Sequence, residues 1–237
     1  MMPIFPQNIS LKTRLLIGLF VIGIIGIIIQ APHSYALSLL KSKFIDYTKG
    51  IDIKEGDFIF QHLPGPLTEM IADVTQSPYS HCGIIVKGKK RFFVLEAIGP
   101  VRLTPLHEWI SRGVGQLFTI VRLKSPYQRY IPEMILSAKM YLGKPYDVQY
   151  EWDDQKIYCS ELIQKAVLQA AGIRLADFVQ LKDLHWQDYE EEIRNIAGGA
   201  LPLEREMIIP EDIVRSTYVF KVYTSFRVRS FRGGRSS

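Results

Sequence analysis

Cysteine is scarce in this sequence: there are two among 237 residues, Cys82 and Cys159. The chain can hold one disulfide at most, although a disulfide is the default for two cysteines in an oxidising compartment. No closely spaced pair of metal-ligand residues accompanies them, which argues against a zinc-type site. Long apolar runs are equally scarce. The one unbroken run, residues 15–29, falls short of the roughly 20 residues that a bilayer span needs. No cysteine follows it closely, so lipid attachment at that point is not indicated. The middle of the chain also lacks basic charge. The net charge is +5, but Lys12 and Arg14 lie at one end and Arg227, Arg229, Arg232 and Arg235 at the other. Without those six the rest carries −1. That distribution gives no basic groove and argues against nucleic acid as a partner.

What is present is ordinary for a folded domain: 47% hydrophobic and 22% charged residues, with length enough for one sizeable core. Residues 1–36 stand apart. A positive flank precedes the apolar run, and Ser34 and Ala36 supply small residues at the −3 and −1 positions of a cleavage site. This reads as a signal peptide or an uncleaved N-terminal membrane anchor, and either one exports the domain to the periplasm or cell envelope. The domain is expected over residues 46–226. An Arg-rich disordered tail is expected over 227–237. Nothing calls for a second copy, so a monomer is expected.

Within the domain, Phe58-Ile59-Phe60 reads as a strand after a Gly56-Asp57 turn. Residues 82–86 and 91–97 read as a hairpin around a polar turn at 87–90. Tyr130, Ile131, Met134, Ile135, Ala138, Tyr141 and Leu142 recur at helical spacing, and Gly143 and Pro145 stop them. A second amphipathic helix starts at Cys159 and ends at Gly172. Residues 178–199 read as a surface helix or a lid-like excursion. Short strands with segregated helices give an α+β class with an antiparallel sheet.

Cys159 carries the chemistry. A thiol at a helix N-terminus is favoured as thiolate, and the first-turn N–H groups there lack intrahelical partners and can face an oxyanion. Of five histidines, His81 opens an apolar strand; His33 lies in the leader, and His62, His107 and His185 sit in turn-rich or polar segments. Glu96 is the one carboxylate in the apolar run 92–97 and needs a partner if buried. A turn near Gly88 would set position 81 opposite 95 or 96, so Glu96 could orient His81. Strand alternation turns Cys82 away from the face that carries His81, which argues against a Cys82–Cys159 bridge and against a His81/Cys82/Cys159 metal site. Tyr146 and Tyr158 are candidates for the cleft wall or the oxyanion site, with packing beneath the Cys159 helix an equal reading for Tyr158. Asp147 could cap a loop or meet a substrate amine. Glu161, two residues past Cys159, points roughly 200° away on a helix.

Five segments occur in order: Gly56-Asp57-Phe58-Ile59-Phe60, Ser77-Pro78-Tyr79-Ser80-His81-Cys82-Gly83-Ile84, Val94-Leu95-Glu96-Ala97, Leu142-Gly143-Lys144-Pro145-Tyr146-Asp147 and Tyr158-Cys159-Ser160-Glu161-Leu162. Over roughly residues 50–225 the chain resembles the YiiX/YebB-like branch of the NlpC/P60 superfamily, the circularly permuted papain-like amidases. The resemblance implies Cys159 as nucleophile, His81 as base and Glu96 as third member. It also implies thiol hydrolysis of an amide through a thioester, with no metal or organic cofactor. Together with export, it points to a cell-wall peptide as substrate. Lipid acyltransferases among the permuted relatives use the same His and Cys, so an acyl substrate stays open, as does an inactive binding module. A lipid-sized apolar cleft would favour acyl; a short polar one, peptide. Cys82 departs from the branched apolar residue more usual after the His, and residues 178–201 fit the family pattern poorly.

Overall fold

The computed structural model describes residues 47–226. The N-terminal leader and the Arg-rich tail read from the sequence lie outside these residues. Among the described residues no helix is long and apolar enough to cross a membrane.

Six strands form one antiparallel sheet in the order β4-β3-β2-β1-β5-β8. They are β1 (Phe58–Gln61), β2 (His81–Lys87), β3 (Phe92–Glu96), β4 (Arg102–Pro105), β5 (Phe118–Leu123) and β8 (Val219–Thr224). A two-stranded ribbon pairs β6 (Val179–Gln180) with β7 (Glu206–Met207). The helices are α1 (Pro66–Thr75), α2 (Leu106–Ser111), α3 (Ser125–Gln128), α4 (Ile131–Lys139), α5 (Cys159–Ala171), α6 (Glu190–Ala197) and α7 (Pro210–Val214). This is the α+β class expected from the sequence.

Both faces of the central strands are covered, so Phe58-Ile59-Phe60 and Ile84-Ile85-Val86 read as continuous apolar runs. Phe58, Phe60, Ile84 and Leu95 pack against Met134, Ile135 and Ala138 of α4 and Leu162, Ile163 and Ala166 of α5. On the other face, Ile59, Ile85, Val94 and Ile120 pack against Leu106, Trp109 and Ile110 of α2. A third cluster joins Met70 and Val74 of α1 to Leu181 and Ile193, which belong to the 178–201 excursion. At the edge between core and surface, Asp57 is fully buried and grips Arg122 in a two-pronged ion pair, with bonds of 2.6 and 2.9 Å. The Gly56-Asp57 segment thus anchors β1 to β5.

The β2–β3 register differs from the one expected. Ile84 lies opposite Leu95 and Lys87 opposite Phe92, which places Gly83, rather than His81, opposite Glu96. The turn is centred later than Gly88: Gly88 N–H donates to the Arg91 carbonyl at 2.8 Å, leaving Lys89 and Lys90 as the loop, and β3 starts at Phe92. His81 and Glu96 are therefore diagonal neighbours on one face, a spacing that long side chains still bridge. Gly83 makes the diagonal possible. A Cβ at that position would collide with Val94 and come within 3.4 Å of the Glu96 Cβ.

Candidate active site

α5 starts at Cys159, with Tyr158 as its extended N-cap residue. Glu161 closes the first turn from within, its Oε2 accepting the Tyr158 N–H at 3.1 Å. Ser160 Oγ donates to the Ile208 carbonyl at 2.7 Å, tying the helix tip to the chain beyond β7. The Cys159 sulfur is thereby fixed over the first residues of β2. Its titration is governed by two neighbours at that end of the strand, His81 and Cys82.

The imidazole is held from behind. His81 Nε2 lies 2.6 Å from Glu96 Oε2, and the ring stacks on Trp109 at 5.8 Å between centroids. Both side chains are buried, Glu96 completely. The carboxylate accepts from Arg112 on both oxygens, at 2.8 and 2.7 Å, and from Thr104 Oγ1 at 2.5 Å. Every neighbour of Glu96 is thus a donor or a cation. Burial alone would raise its pKa, but His81, Thr104 and Arg112 hold the carboxyl down at about 2. Burial likewise pushes the imidazole down, and its bonds to Cys159 and Glu96 outweigh that and raise it to about 9. The Cys159 thiol falls well below its usual value, first through the Cys82 thiol and then through His81, against the opposing effect of burial. Both shifts run in the direction that favours a thiolate beside an imidazolium, with the carboxylate anchored behind.

The structure therefore brings Cys159, His81 and Glu96 together. Cys82 corrects one expectation. Alternation holds, since Cys82 belongs to the layer under α5 while His81 lies with Glu96 and Trp109 on the other face. Yet Cys82 does not turn away from Cys159. The helix tip sits over the end of the strand, where residues from both faces reach it. Both cysteines are free thiols.

Tyr158 packs beneath the helix, fully buried, with its hydroxyl accepting the Ile208 N–H at 3.0 Å. Tyr146 lies beside Tyr150, their hydroxyls 3.5 Å apart. Asp147 organises its own loop, accepting from the Gln149 and Glu151 N–H groups. Glu161 points into the core toward Lys165, 2.9 Å away, and not toward His81. Four contributors escaped sequence reasoning: Arg112, Thr104, Trp109 and Tyr150. The need of a buried Glu96 for a cation was a usable signal for Arg112. Nothing local marks the other three.

Beside Cys159 opens a cleft of about 90 Å³. Its walls include Met70 and Val74 from α1, and Leu181, Ile193, Met207 and Ile208 from the chain beyond residue 178. Arg205 is the one charged lining residue, and it is engaged by the Gln149 carbonyl and Glu151. Tyr150 stands next to Cys159 in this wall, with its backbone in the left-handed region (φ 57°). A bulky residue there is strained, and such strain gathers at functional sites.

A thiol at a helix tip, an imidazole on the neighbouring strand and a carboxylate behind it define a papain-like thiol site, here with the His strand ahead of the Cys helix in the chain. Residues 52–223 match the family described as permuted papain-like amidase enzyme, YaeF/YiiX, C92 family. The chain belongs to this family and is a papain-like cysteine amidase. The family's own name is narrower than, and different from, the NlpC/P60 label. The chain is 34% identical over 161 residues to the uncharacterized protein YiiX of Escherichia coli K12, covering 67% of this chain and 80% of that one. It is also similar to the crystal structure of metalloprotein yiiX from Escherichia coli O157:H7, with a TM-score of 0.69 and 30% identity over 73% of this chain and 98% of that one. Among the described residues of this chain, no group of three or more His, Cys, Asp or Glu side chains is placed to hold a metal ion.

Proposed function

We propose that Cys159, His81 and Glu96 hydrolyse an amide through a thioester, on a substrate whose acyl side carries an apolar chain. The observation that carries the mechanism is the 2.6 Å bond from His81 Nε2 to Glu96 beside the helix tip that starts at Cys159, whose thiol His81 makes more acidic. The Cys159 thiolate attacks the carbonyl carbon, and the Cys159 backbone N–H donates to the oxyanion, with Tyr146 as a second candidate donor. The His81 imidazolium gives its proton to the departing amine, leaving an S-acyl Cys159. His81, now neutral, takes a proton from water, which attacks the thioester; the acid leaves and the thiolate returns. Glu96 keeps the ring oriented and stabilises its charge.

Export and family likeness support a cell-wall peptide as substrate, but the cleft favours the acyl reading. A diaminopimelate-type peptide brings charges, and the lining offers only Arg205, already engaged. An acyl chain buries its methylenes against α1 and the 178–201 excursion, at about 0.8 kcal/mol per CH₂. The protein acts as a monomer outside the cytoplasm, delivered by its N-terminal segment as signal peptide or anchor.

The test is a series of acyl p-nitroanilides from acetyl to dodecanoyl, run beside a muropeptide panel. Rising kcat/KM with chain length, an S-acyl adduct on Cys159 in intact mass spectra, and loss of length preference in Met70→Glu are expected. Turnover confined to muropeptides would replace the acyl substrate by the peptide. Turnover unchanged in Cys159→Ser would remove the mechanism.

A further inference from the structure

The mechanism uses Cys159, His81 and Glu96, and none of them accounts for the way Tyr150 is held. Its backbone is left-handed, at φ 57°, and a bulky residue stays in that region only where its surroundings fix it. The residues on either side are tied down from two directions. Asp147, itself buried, accepts the Gln149 N–H at 3.0 Å and the Glu151 N–H at 2.5 Å. Arg205 comes from the far side of the cleft: its Nη1 donates to the Gln149 carbonyl at 2.6 Å, and its Nη2 pairs with Glu151 at 3.1 Å. The ring is seated as well. It packs on Tyr158, the residue before Cys159, at 5.1 Å between centroids, and meets Tyr146 edge-on at 6.5 Å.

The cleft joins two core clusters. One contains Cys159, Tyr158 and Ile208, with Tyr150 packed against it. The other contains Met70, Val74, Leu181 and Ile193. Met207 packs against both. Tyr150 and Cys159 line the same cleft, so Tyr150 stands at its reacting end and the second cluster at its distal end. The carbons next to the scissile carbonyl pass the ring before any part of the chain reaches α1.

We propose that Tyr150 is a specificity-determining residue: its seated ring admits unbranched acyl groups to Cys159 and turns away those substituted at the carbon next to the carbonyl, the aminoacyl groups of peptides among them. Arg205 is its positioning residue. Resting on the acyl reading of the cleft, this role narrows the substrate to straight-chain acyl amides. A straight chain presents only a methylene beside the ring. A substituent at that carbon needs additional room, and a cleft of about 90 Å³ has little to spare. The ring yields only by leaving Tyr158 or by moving a backbone tied at residues 149 and 151. Arg205 reaches that backbone from the chain that returns from the distal wall, where its own carbonyl accepts the Leu181 N–H at 3.1 Å. The guanidinium therefore holds the two ends of the cleft in one register.

The experiment compares hexanoyl and 2-methylhexanoyl p-nitroanilides as substrates of the full chain. In parallel it compares iodoacetamide with 2-iodopropanamide as labels of Cys159, read by peptide mass spectrometry and taken relative to glutathione. The wild type should favour the straight chain by roughly 10–200-fold in kcat/KM, the range that one misplaced methyl group commands in a fitted pocket. Its labelling should favour iodoacetamide beyond the glutathione ratio. Tyr150→Gly accepts the left-handed backbone and removes the ring, so both preferences should fall about tenfold or more. Tyr150→Phe keeps the ring and should keep both. Arg205→Met keeps the ring and frees its backbone; both preferences should fall by a smaller factor, a change that a merely structural role would not produce. Ratios equal in the wild type and Tyr150→Gly, or lost as fully in Tyr150→Phe, would overturn the inference. If Tyr150→Gly does not fold, a wild type that treats straight and branched partners alike, or an Arg205→Met that leaves both ratios in place, overturns it. Straight-chain turnover with unmoved ratios removes this inference alone. Labelling ratios that shift as expected in a protein inert toward every acyl amide remove the acyl reading alone.

Discussion

Glu96 and Glu161 are both completely buried and both lie close to Cys159, one behind its base and one in its own helix. They nevertheless sit at opposite ends of the carboxylate range: Glu96 is held at about 2, and Glu161 rises to about 7. Burial raises both. Glu96 is offset by Arg112 on two oxygens, by Thr104 and by the imidazole. Glu161 has the Tyr158 N–H and Lys165, and Lys165 is shared with Asp154 at 2.8 Å. A buried carboxylate does not become functional through burial. It becomes a fixed charge when enough donors replace the water it has lost, and only Glu96 also faces a group that gains a proton during the reaction.

Breaking the contrast at Glu96 should have the largest effect. Glu96→Gln removes the charge that holds the imidazolium, so kcat/KM should fall by roughly 10²–10⁴-fold. The alkaline limit of iodoacetamide labelling attributable to the His81 pair should also drop below about 9. Arg112→Gln should bring Glu96 toward the condition of Glu161. Its carboxyl rises from about 2, the acid limb of the pH–rate profile moves upward, and kcat/KM falls by about tenfold. Arg112→Lys should restore part of both, because a single nitrogen, Nη2, serves both oxygens and an ammonium also offers one cationic nitrogen; an unmoved acid limb in both variants would make Arg112 structural only.

The two glutamates should also have opposite signatures in stability. Glu96 is depressed below the ordinary 4.5 in the folded state, so its contribution is present above pH 4.5 and is lost as pH falls through about 2. Glu161 is raised, so the folded state binds its proton more tightly and stability declines as pH rises from 4.5 through about 7. Urea midpoints across pH should therefore lose their acid slope in Glu96→Gln and their neutral slope in Glu161→Gln. The smallest effect is on rate: Glu161→Gln should leave kcat/KM within about threefold, since it touches neither His81 nor the cleft. A loss as large as that of Glu96→Gln would erase the contrast.

The fold was largely legible because its signals are local. The stripe from Ile131 to Ala138, the apolar run of β2 and the Gly172 stop, with φ 68°, each report their own backbone. Cys159 was legible for the same reason, as a thiol at a polar-to-amphipathic junction. His81 and Glu96 were legible as polar residues inside apolar strands, although the register joining them was not, because the polar and glycine run 87–90 does not mark the centre of the turn, which the bond from Gly88 to Arg91 sets at Lys89-Lys90. Arg112 sits in an irregular stretch after α2 with no periodicity to mark it, and Tyr150 gains its meaning only from a left-handed backbone beside the cleft. The excursion at 178–199 read as polar and lid-like. Its apolar members, Leu181 and Ile193, become a wall only when α1 is set opposite them.

By itself, then, the sequence determined the elements, the core faces and the three residue types that thiol chemistry requires, because propensity, hydrophobic period and the cost of a buried charge act over a few neighbouring positions. The tertiary structure alone decided that Glu96 lies among enough donors to hold its charge, that the cleft beside Cys159 is apolar, and that Cys82 packs in the core layer under the helix that carries the nucleophile. Each of those depends on side chains brought together from distant strands and helices, where distance and desolvation set the energies and spacing along the chain carries no information about either.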